Sequence, residues 1–479
     1  MTDSLNASPE ALPWYRRPEY LALLLVGVVY VALIGRYRAY DLDDPWFLSF
    51  SHGYWVHGVQ TDTFMRMAFP GGMGGVVAFG KLAAFVQGAI LSVTGWTLAA
   101  GTLISVVFVF AALWLLIRAC ERFGYSSHFT ACYVLLVGLT EPFVFASQKT
   151  RYEFLPLFLL ALALWLVSRQ SVLPAMFVGA LAAEVEPTGV VVGCAIFVVI
   201  VVQNRKLGLP LGKTLLRVAI GAVAALAIYL LLHSDIVATL HAANWKAASA
   251  GRFPGGFVTL YYLKYKRHLP ELLVLLVAVA ASFARARRGL FVDWPFLCVV
   301  TIAVISALLG WGNVPYFCFI SPFVCLFLLQ VFFSEKNWKW VAAAALLYTL
   351  PAYAYRFYYW DVRHPGFTES DERELAAAIV RAAALSGKTS AQASVVGSFE
   401  AWYAHPDHFA NLDKRTATDS LLGSADVIVC PEKALDPVLA PKDVDEVTCS
   451  TVRRIPSRVV EALNVRGHEM EIVVPEHER

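Results

Sequence analysis

Residues 21–47 read LALLLVGVVYVALIGRYRAYDLDDPWF. The apolar run Leu21–Ile34 leads, with no clear small-residue cleavage site, into Asp41, Asp43 and Asp44. It is therefore expected to remain as a first membrane span rather than to leave as a signal peptide. Pro45 suits the first turn of a helix, predicted over Trp46–Trp55. Three carboxylates within four positions thus stand at a helix start on a membrane surface. One aspartate suffices as a cap, worth about 0.5–2 kcal/mol. Three repel one another, which favours protonation of one and suits the group to take a proton from a hydroxyl or to hold a divalent cation. As surface carboxylates, Asp43 and Asp44 are expected to be replaceable without loss of folding.

The rest of the chain fits a membrane protein. Of 479 residues, 58% are hydrophobic and 16% charged, against roughly 45–50% and 25% in soluble domains. Residues 361–479 carry 20 acidic and 13 basic groups, whereas residues 1–360 carry 16 and 26. We expect a basic, apolar transmembrane domain over 1–360 and an acidic extracytoplasmic α/β domain over 361–479. Neither part has the Lys/Arg clusters interleaved with aromatics that nucleic-acid binding requires, so nucleic acid is excluded as the main partner. The bilayer is the first partner implied.

Further apolar runs are centred on Leu98–Ile117, Ala131–Ala146, Leu155–Val167, Ala175–Ala183, Val190–Val202, Leu215–Leu232, Leu272–Phe283, Phe291–Leu309, Tyr316–Phe333 and Val341–Tyr355. They predict about eleven crossings. Alternating the connections puts Arg16/Arg17, Arg118/Arg122, Arg169, Arg205/Lys206/Lys213, Arg285/Arg287/Arg288 and Lys336/Lys339 together on the cytoplasmic side. This solution needs Phe79–Val93, with Lys81 and Gln87, to lie along the outer surface. The N-terminus is then cytoplasmic and the C-terminus outside, in the inner or plasma membrane. The tail is predicted to contain a helix Ser370–Leu385 and strands Ala393–Gly397, Asp426–Cys430 and Met470–Val474. Six cysteines lie in apolar runs as buried filler, while Cys430 and Cys449 can pair if the tail faces an oxidising compartment.

A second outer loop, Ser147–Glu153, places Lys149, Arg151 and Glu153 at the mouth of a span, where ionisable groups are functional candidates. With Asp43-Asp44-Pro45-Trp46-Phe47 behind one span and Gly58 after it, the chain resembles GT-C glycosyltransferases, polytopic enzymes that take a sugar from a polyprenyl-phosphate carrier. Asp44-Pro45-Trp46-Phe47 is similar to the equivalent stretch of oligosaccharyltransferase catalytic subunits. The surrounding arrangement is closer to the protein mannosyltransferase and lipid A aminoarabinose transferase branch. That branch has a surface helix after the acidic motif, matched by Phe79–Val93. An Arg-rich segment with Phe-Gly follows, matched by Arg118–Gly124, and then a charged loop opening the fourth span, matched by Arg151-Tyr152-Glu153. A loop that commonly reads Thr-Lys-Pro-Thr-Gly in that branch is matched by Glu186-Pro187-Thr188-Gly189, with Glu186 in place of lysine. The signature Trp-Trp-Asp-Tyr-Gly is absent, which argues against transfer of a whole oligosaccharide to asparagine.

The resemblance implies a polyprenyl-phosphate-linked sugar donor and an extracytoplasmic glycan, lipid or protein acceptor. Asp44 or Asp43 would remove the acceptor's proton during a single inverting displacement. Glu153 is either a further carboxylate of the site or the partner that orients Arg151. Cations available to the carrier phosphate are Arg151, Lys149, Lys81, Arg66 and the run Lys264–His268, which includes Arg267. That run equally suits headgroup anchoring. Trp46, Tyr54 and Trp55 suit either sugar stacking or an interfacial belt, and metal use stays open. His52 and His57, five apart, are expected on rather different helix faces, which disfavours a zinc pair. The alternative from another class is a transporter or flippase for a lipid or envelope precursor. Against it stand spans that are largely uncharged internally and carboxylates gathered at one face.

Overall fold

The computed structural model describes residues 14–34, 43–58, 60, 80–234, 269–285, 287–308, 318–357, 369–398, 401–404, 408–412, 419–432, 448–465 and 468–476. Every run expected to span is helical over most of its described length. In chain order the membrane helices and their companions are α1 (Pro18–Leu33), α2 (Asp43–His57), α3 (Lys81–Thr94), α4 (Leu98–Arg122), α5 (Ser127–Gly138), α6 (Glu141–Gln148), α7 (Phe154–Ser168), α8 (Val172–Val185), α9 (Val190–Lys206), α10 (Leu211–Leu232), α11 (Leu269–Ala284), α12 (Trp294–Leu308), α13 (Ser321–Phe332) and α14 (Trp338–Phe357). Among the described residues, α4, α10 and the stretch Pro187–Lys206 are each long and apolar enough to cross a bilayer alone, and shorter apolar helices pack around them. Leu216, Val223 and Leu231 of α10 point outward and exposed, a face that only lipid tails can cover without cost. Where helices meet, small residues allow close approach. A side chain at Gly221 of α10 would stand 2.7 Å from the Leu173 carbonyl oxygen of α8.

One expected span is broken. The run Ala131–Ala146 is not a single helix, because α5 and α6 meet at 64°. Pro142, in the first turn of α6, has no N–H and its ring clashes with the carbonyl four residues back, so α5 cannot continue through it. The bend delivers Ser147–Glu153 to the end of the bundle.

The two ends of the bundle carry different chemistry. At one end Arg17 pairs with Glu19 at 2.6 Å and with Glu121, and Arg118 pairs with Glu121 at 2.6 Å, tying the start of α1 to the end of α4. Lys206 bonds Asp293 at 2.7 Å, joining the end of α9 to the start of α12. These pairs join helix ends that the charge pattern assigns to one side. The opposite end holds the start of α2, the start of α3, the α6–α7 loop and the ends of α8 and α10.

The tail forms a five-stranded sheet, β2-β1-β3-β5-β4, from β1 (Val395–Gly397), β2 (Phe409–Asn411), β3 (Val427–Pro431), β4 (Ser457–Val465) and β5 (His468–Pro475). β1 runs parallel to β2 and β3, and β5 runs antiparallel to β3 and β4. The helix α15 (Glu369–Leu385) packs on this sheet, burying Leu375, Ala378, Ile379, Ala382 and Ala383. The three predicted strands and the predicted helix are all present, while β2 and β4 are additional. Cys430 at the end of β3 is disulfide-bonded to Cys449. A short helix, Ala401–Ala404, carries the fully buried Trp402, whose ring lies 6.1 Å from that of His52 on α2. The tail thus rests on α2 of the membrane body.

Asp426 anchors the first turn of the tail sheet. Burial works to raise its pKa, but the Lys388 ammonium at 2.8 Å and the Ser394 amide and hydroxyl at 2.8 and 2.9 Å outweigh burial and hold it below the usual carboxylate range. A lowered folded-state pKa gives stability that is present above the unfolded pKa of about 4 and is lost as pH falls through the folded value. Asp426→Asn should cost about 1–2 kcal/mol at pH 7. Protease resistance of the tail in the full-length protein should show that difference undiminished from pH 7 to 5 and shrinking below about pH 4.

Candidate functional site

The acidic motif and the α6–α7 loop meet as a buried polar cluster. Asp44, in the first turn of α2, is only 2% exposed. Its Oδ2 accepts from Lys149 Nζ at 2.6 Å, and its Oδ1 accepts from the Thr150 amide at 3.1 Å and the Thr150 hydroxyl at 3.2 Å. The Thr150 hydroxyl is also 2.8 Å from the Asp44 carbonyl oxygen. Asp44 is therefore a buried, salt-bridged group rather than the surface carboxylate expected from the sequence, and its replacement must be felt in folding. Burial strengthens the attraction but leaves either partner costly if stranded.

Arg151 and Glu153 lie beside this pair. Arg151 Nε donates to Glu153 Oε1 at 2.8 Å, so of the two readings open for Glu153 the structure displays the orienting contact. The guanidinium also sits 4.9 Å from the Phe47 ring centroid, a cation–π contact that fixes it over α2. Glu186, just beyond α8, is also buried.

A neutral network supports the charged one. Gln87 on α3 is fully buried, donating to the Thr150 carbonyl at 2.8 Å and accepting from the Ser51 hydroxyl at 2.7 Å. Ser51 is 3.1 Å from the Tyr152 hydroxyl, which donates to the Phe47 carbonyl at 3.4 Å. Ser105 of α4 donates to the Lys149 carbonyl at 2.6 Å. Lys81 and Gln87 of α3 thus face protein, which explains how a helix carrying them fits among apolar neighbours.

Lys81 opens α3 after Gly80, whose φ of +81° favours glycine and whose missing side chain admits the Tyr152 ring. Lys81 Nζ donates to the Leu232 carbonyl at the end of α10 at 2.8 Å. Beside it, Glu184 Oε1 accepts from the Leu82 amide at 3.3 Å and from His233 Nε2 at 3.0 Å. Glu184 and His233 were not singled out by the sequence reading. Glu184 follows immediately on an uncharged span, and an ionisable group at that depth was the available signal.

The structure therefore brings together Asp44, Lys149, Arg151 and Glu153, with Lys81 at the adjoining helix end. Asp43 begins α2, and its side chain lies outside the described residues, as do Asp41, Arg66, Lys264 and Arg267. His52 and His57 have rings 6.0 Å apart, closer than their five-residue spacing led us to expect, and His52 packs on Trp96 at 4.7 Å. Among the described residues, the one group of three metal-type ligands is Cys430, Cys449 and Glu471, whose sulfurs are joined in the disulfide.

Fold and site together define a multi-pass membrane protein with a polar centre at one end of its helices and a small mixed sheet at its C-terminus. No family model matches the sequence, and no curated protein matches it. Among solved structures, the chain is similar to ArnT from Cupriavidus metallidurans in the apo state, with a TM-score of 0.59 and 12% identity over 95% of this chain and 97% of that one. It is also matched by the same protein bound to undecaprenyl phosphate, with a TM-score of 0.49 and 11% identity over 94% and 97%. The apo oligosaccharyltransferase of Archaeoglobus fulgidus gives 0.46 and 11% over 87% and 70%. The first of these likenesses shows the fold: a mostly helical multi-pass body with a small C-terminal mixed sheet, like that of ArnT.

Asp44→Asn should remove the carboxylate that Lys149 holds at 2.6 Å and lower the stability of the detergent-solubilised protein by about 3–5 kcal/mol. Adding Lys149→Met should recover most of that loss. A melting temperature unchanged by the single variant would show that the pair is solvated.

Proposed function

We propose that this protein transfers a sugar from a polyprenyl-phosphate carrier to a hydroxyl of an extracytoplasmic glycan, lipid or protein, with inversion at the anomeric carbon. The observation that carries this reading is the assembly of Asp44, Lys149, Arg151 and Glu153 into one buried cluster at a single helix end, beside Lys81. A carrier with its tail among the helices presents its phosphate at such an end. The acceptor oxygen attacks the anomeric carbon, the bond to the phosphate oxygen breaks, and the electron pair leaves on the polyprenyl phosphate. Asp43 or Asp44 receives the hydroxyl proton. Arg151, Lys149 and Lys81, with Lys264 and Arg267 from outside the described residues, compensate the charge on the leaving oxygen. Charged groups at the helix ends, rather than along their middles, favour this over transport.

The same reading places the helix end with Asp44 and the whole of 361–479 outside the cytoplasm. The Cys430–Cys449 disulfide supports that placement, since such bonds persist in oxidising compartments. A reporter active only outside the cytoplasm should be active when fused after Arg479 and silent when fused after Arg205.

Mass spectrometry of envelope glycans and glycolipids with and without the gene should show loss of one sugar residue. In the same assay Arg151→Ala should slow transfer roughly tenfold to a hundredfold, the value of one charge-assisted contact. Arg151→Lys should recover part of it, since it restores charge without the two-pronged geometry. An unchanged envelope, or a wild-type rate in Arg151→Ala at subsaturating donor, would contradict the proposal.

A further inference from the structure

Glu184 and His233 form a buried carboxylate–imidazole pair that the proposed displacement leaves unused. Each side chain is 1% exposed, and they meet at 3.0 Å between Glu184 Oε1 and His233 Nε2. The other atom of each, Glu184 Oε2 and His233 Nδ1, is buried with no hydrogen-bond partner among the described residues. Buried polar atoms are almost always satisfied by protein, water or ligand. Two orphaned atoms on directly bonded side chains mark a place where something else binds.

Hydrogen-bond complementarity narrows the class. An imidazole that donates Nε2–H to a carboxylate keeps its lone pair on Nδ1, so both open atoms are acceptors. A phosphate oxygen brings negative charge and no donor to such a place. Hydroxyl groups bring the donors it lacks. Among the described residues, the ionisable groups around the pair include Lys81, whose ammonium holds the carbonyl of the residue before His233, Tyr229, whose ring is 4.8 Å from the imidazole, and Tyr152, packed on Gly80. Position supports a role in the same reaction. Gly80 donates to the Glu184 carbonyl at 2.7 Å and packs on the Tyr152 ring, which adjoins Arg151 and shares the Ser51 network.

We propose that Glu184 and His233 are a sugar-reading subsite, in which a hydroxyl of the transferred sugar donates to His233 Nδ1 while Glu184 fixes the imidazole tautomer. This rests on the polyprenyl-phosphosugar donor proposed above, and it makes His233 a specificity residue rather than a phosphate ligand.

The test uses the full-length protein in nanodiscs. Its probes are a bare polyprenyl phosphate and the same carrier bearing mannose, glucose or arabinose. At least one glycosylated carrier should bind wild type roughly tenfold more tightly than the bare one, the contribution of one or two buried hydrogen bonds. His233→Gln keeps an amide facing Glu184 but places no acceptor where Nδ1 stood. It should bind the bare carrier as wild type does and lose the tenfold preference. His233→Asn, which restores a polar atom near Nδ1 and gives up Glu184, should keep part of it. Both variants retaining the full preference, or wild type showing none, overturns the subsite and leaves an ordered water as the occupant. Failure of wild type to bind any of the carriers overturns the donor reading, and this inference with it.

Discussion

The buried contact between Asp44 and Lys149 is what the polar end of this molecule is built around. A carboxylate and an ammonium removed from water are tolerable only when each satisfies the other and the remaining lone pairs find donors. Thr150 supplies those donors from its amide and hydroxyl. Because Asp44 sits in the first turn of α2 and Lys149 on the loop after α6, one ion pair locks the acidic motif to the broken span. The Pro142 bend is what sets that loop at the bundle end. Gln87 and Ser105 then hold the loop's carbonyls from α3 and α4. Removing either charge unsettles elements that are far apart in sequence.

On the proposed function, the electrostatic balance at this end shapes how a donor would be held. Among the described residues, Lys81, Lys149 and Arg151 stand against Asp44, Glu153, Glu184 and Glu186. Lys149 is held by Asp44, Arg151 by Glu153, and Lys81 by a helix-end carbonyl. Glu186 adds a buried carboxylate rather than a cation. A phosphate binding here, as proposed, would therefore draw a cation from a partner it already has. Such exchange contacts discriminate between an empty and an occupied site, because the buried carboxylate left behind is costly unless the incoming ligand also reorganises it.

Much of this was legible in the sequence because bilayer physics is permissive only of long apolar runs with charged ends. The helices, the alternation of their ends and the acidic motif follow from that alone. The bend after Gly138 was missed, since an apolar run reads as continuous until Pro142 is weighed against the carbonyl four residues before it. Strand β4 was missed because its irregular register between Val459 and Glu461 breaks the strict alternation on which strand reading relies. Burial of Asp44 was unreadable for another reason: its partner lies 105 residues away, and nothing local distinguishes a buried aspartate from an exposed one. The Glu184–His233 pair depends likewise on α8 and α10 packing side by side.

The central claim is that the polar end of this bundle receives the phosphate of a lipid-linked sugar. A cryo-EM structure of the full-length protein in nanodiscs with a polyprenyl phosphate tests it most directly. The account predicts phosphate density within hydrogen-bonding distance of Arg151, Lys149 or Lys81, with the prenyl tail running along the membrane helices from that end. Phosphate density at the opposite end, beside Arg17, Arg118 and Lys206, or along the middle of the spans, would contradict it.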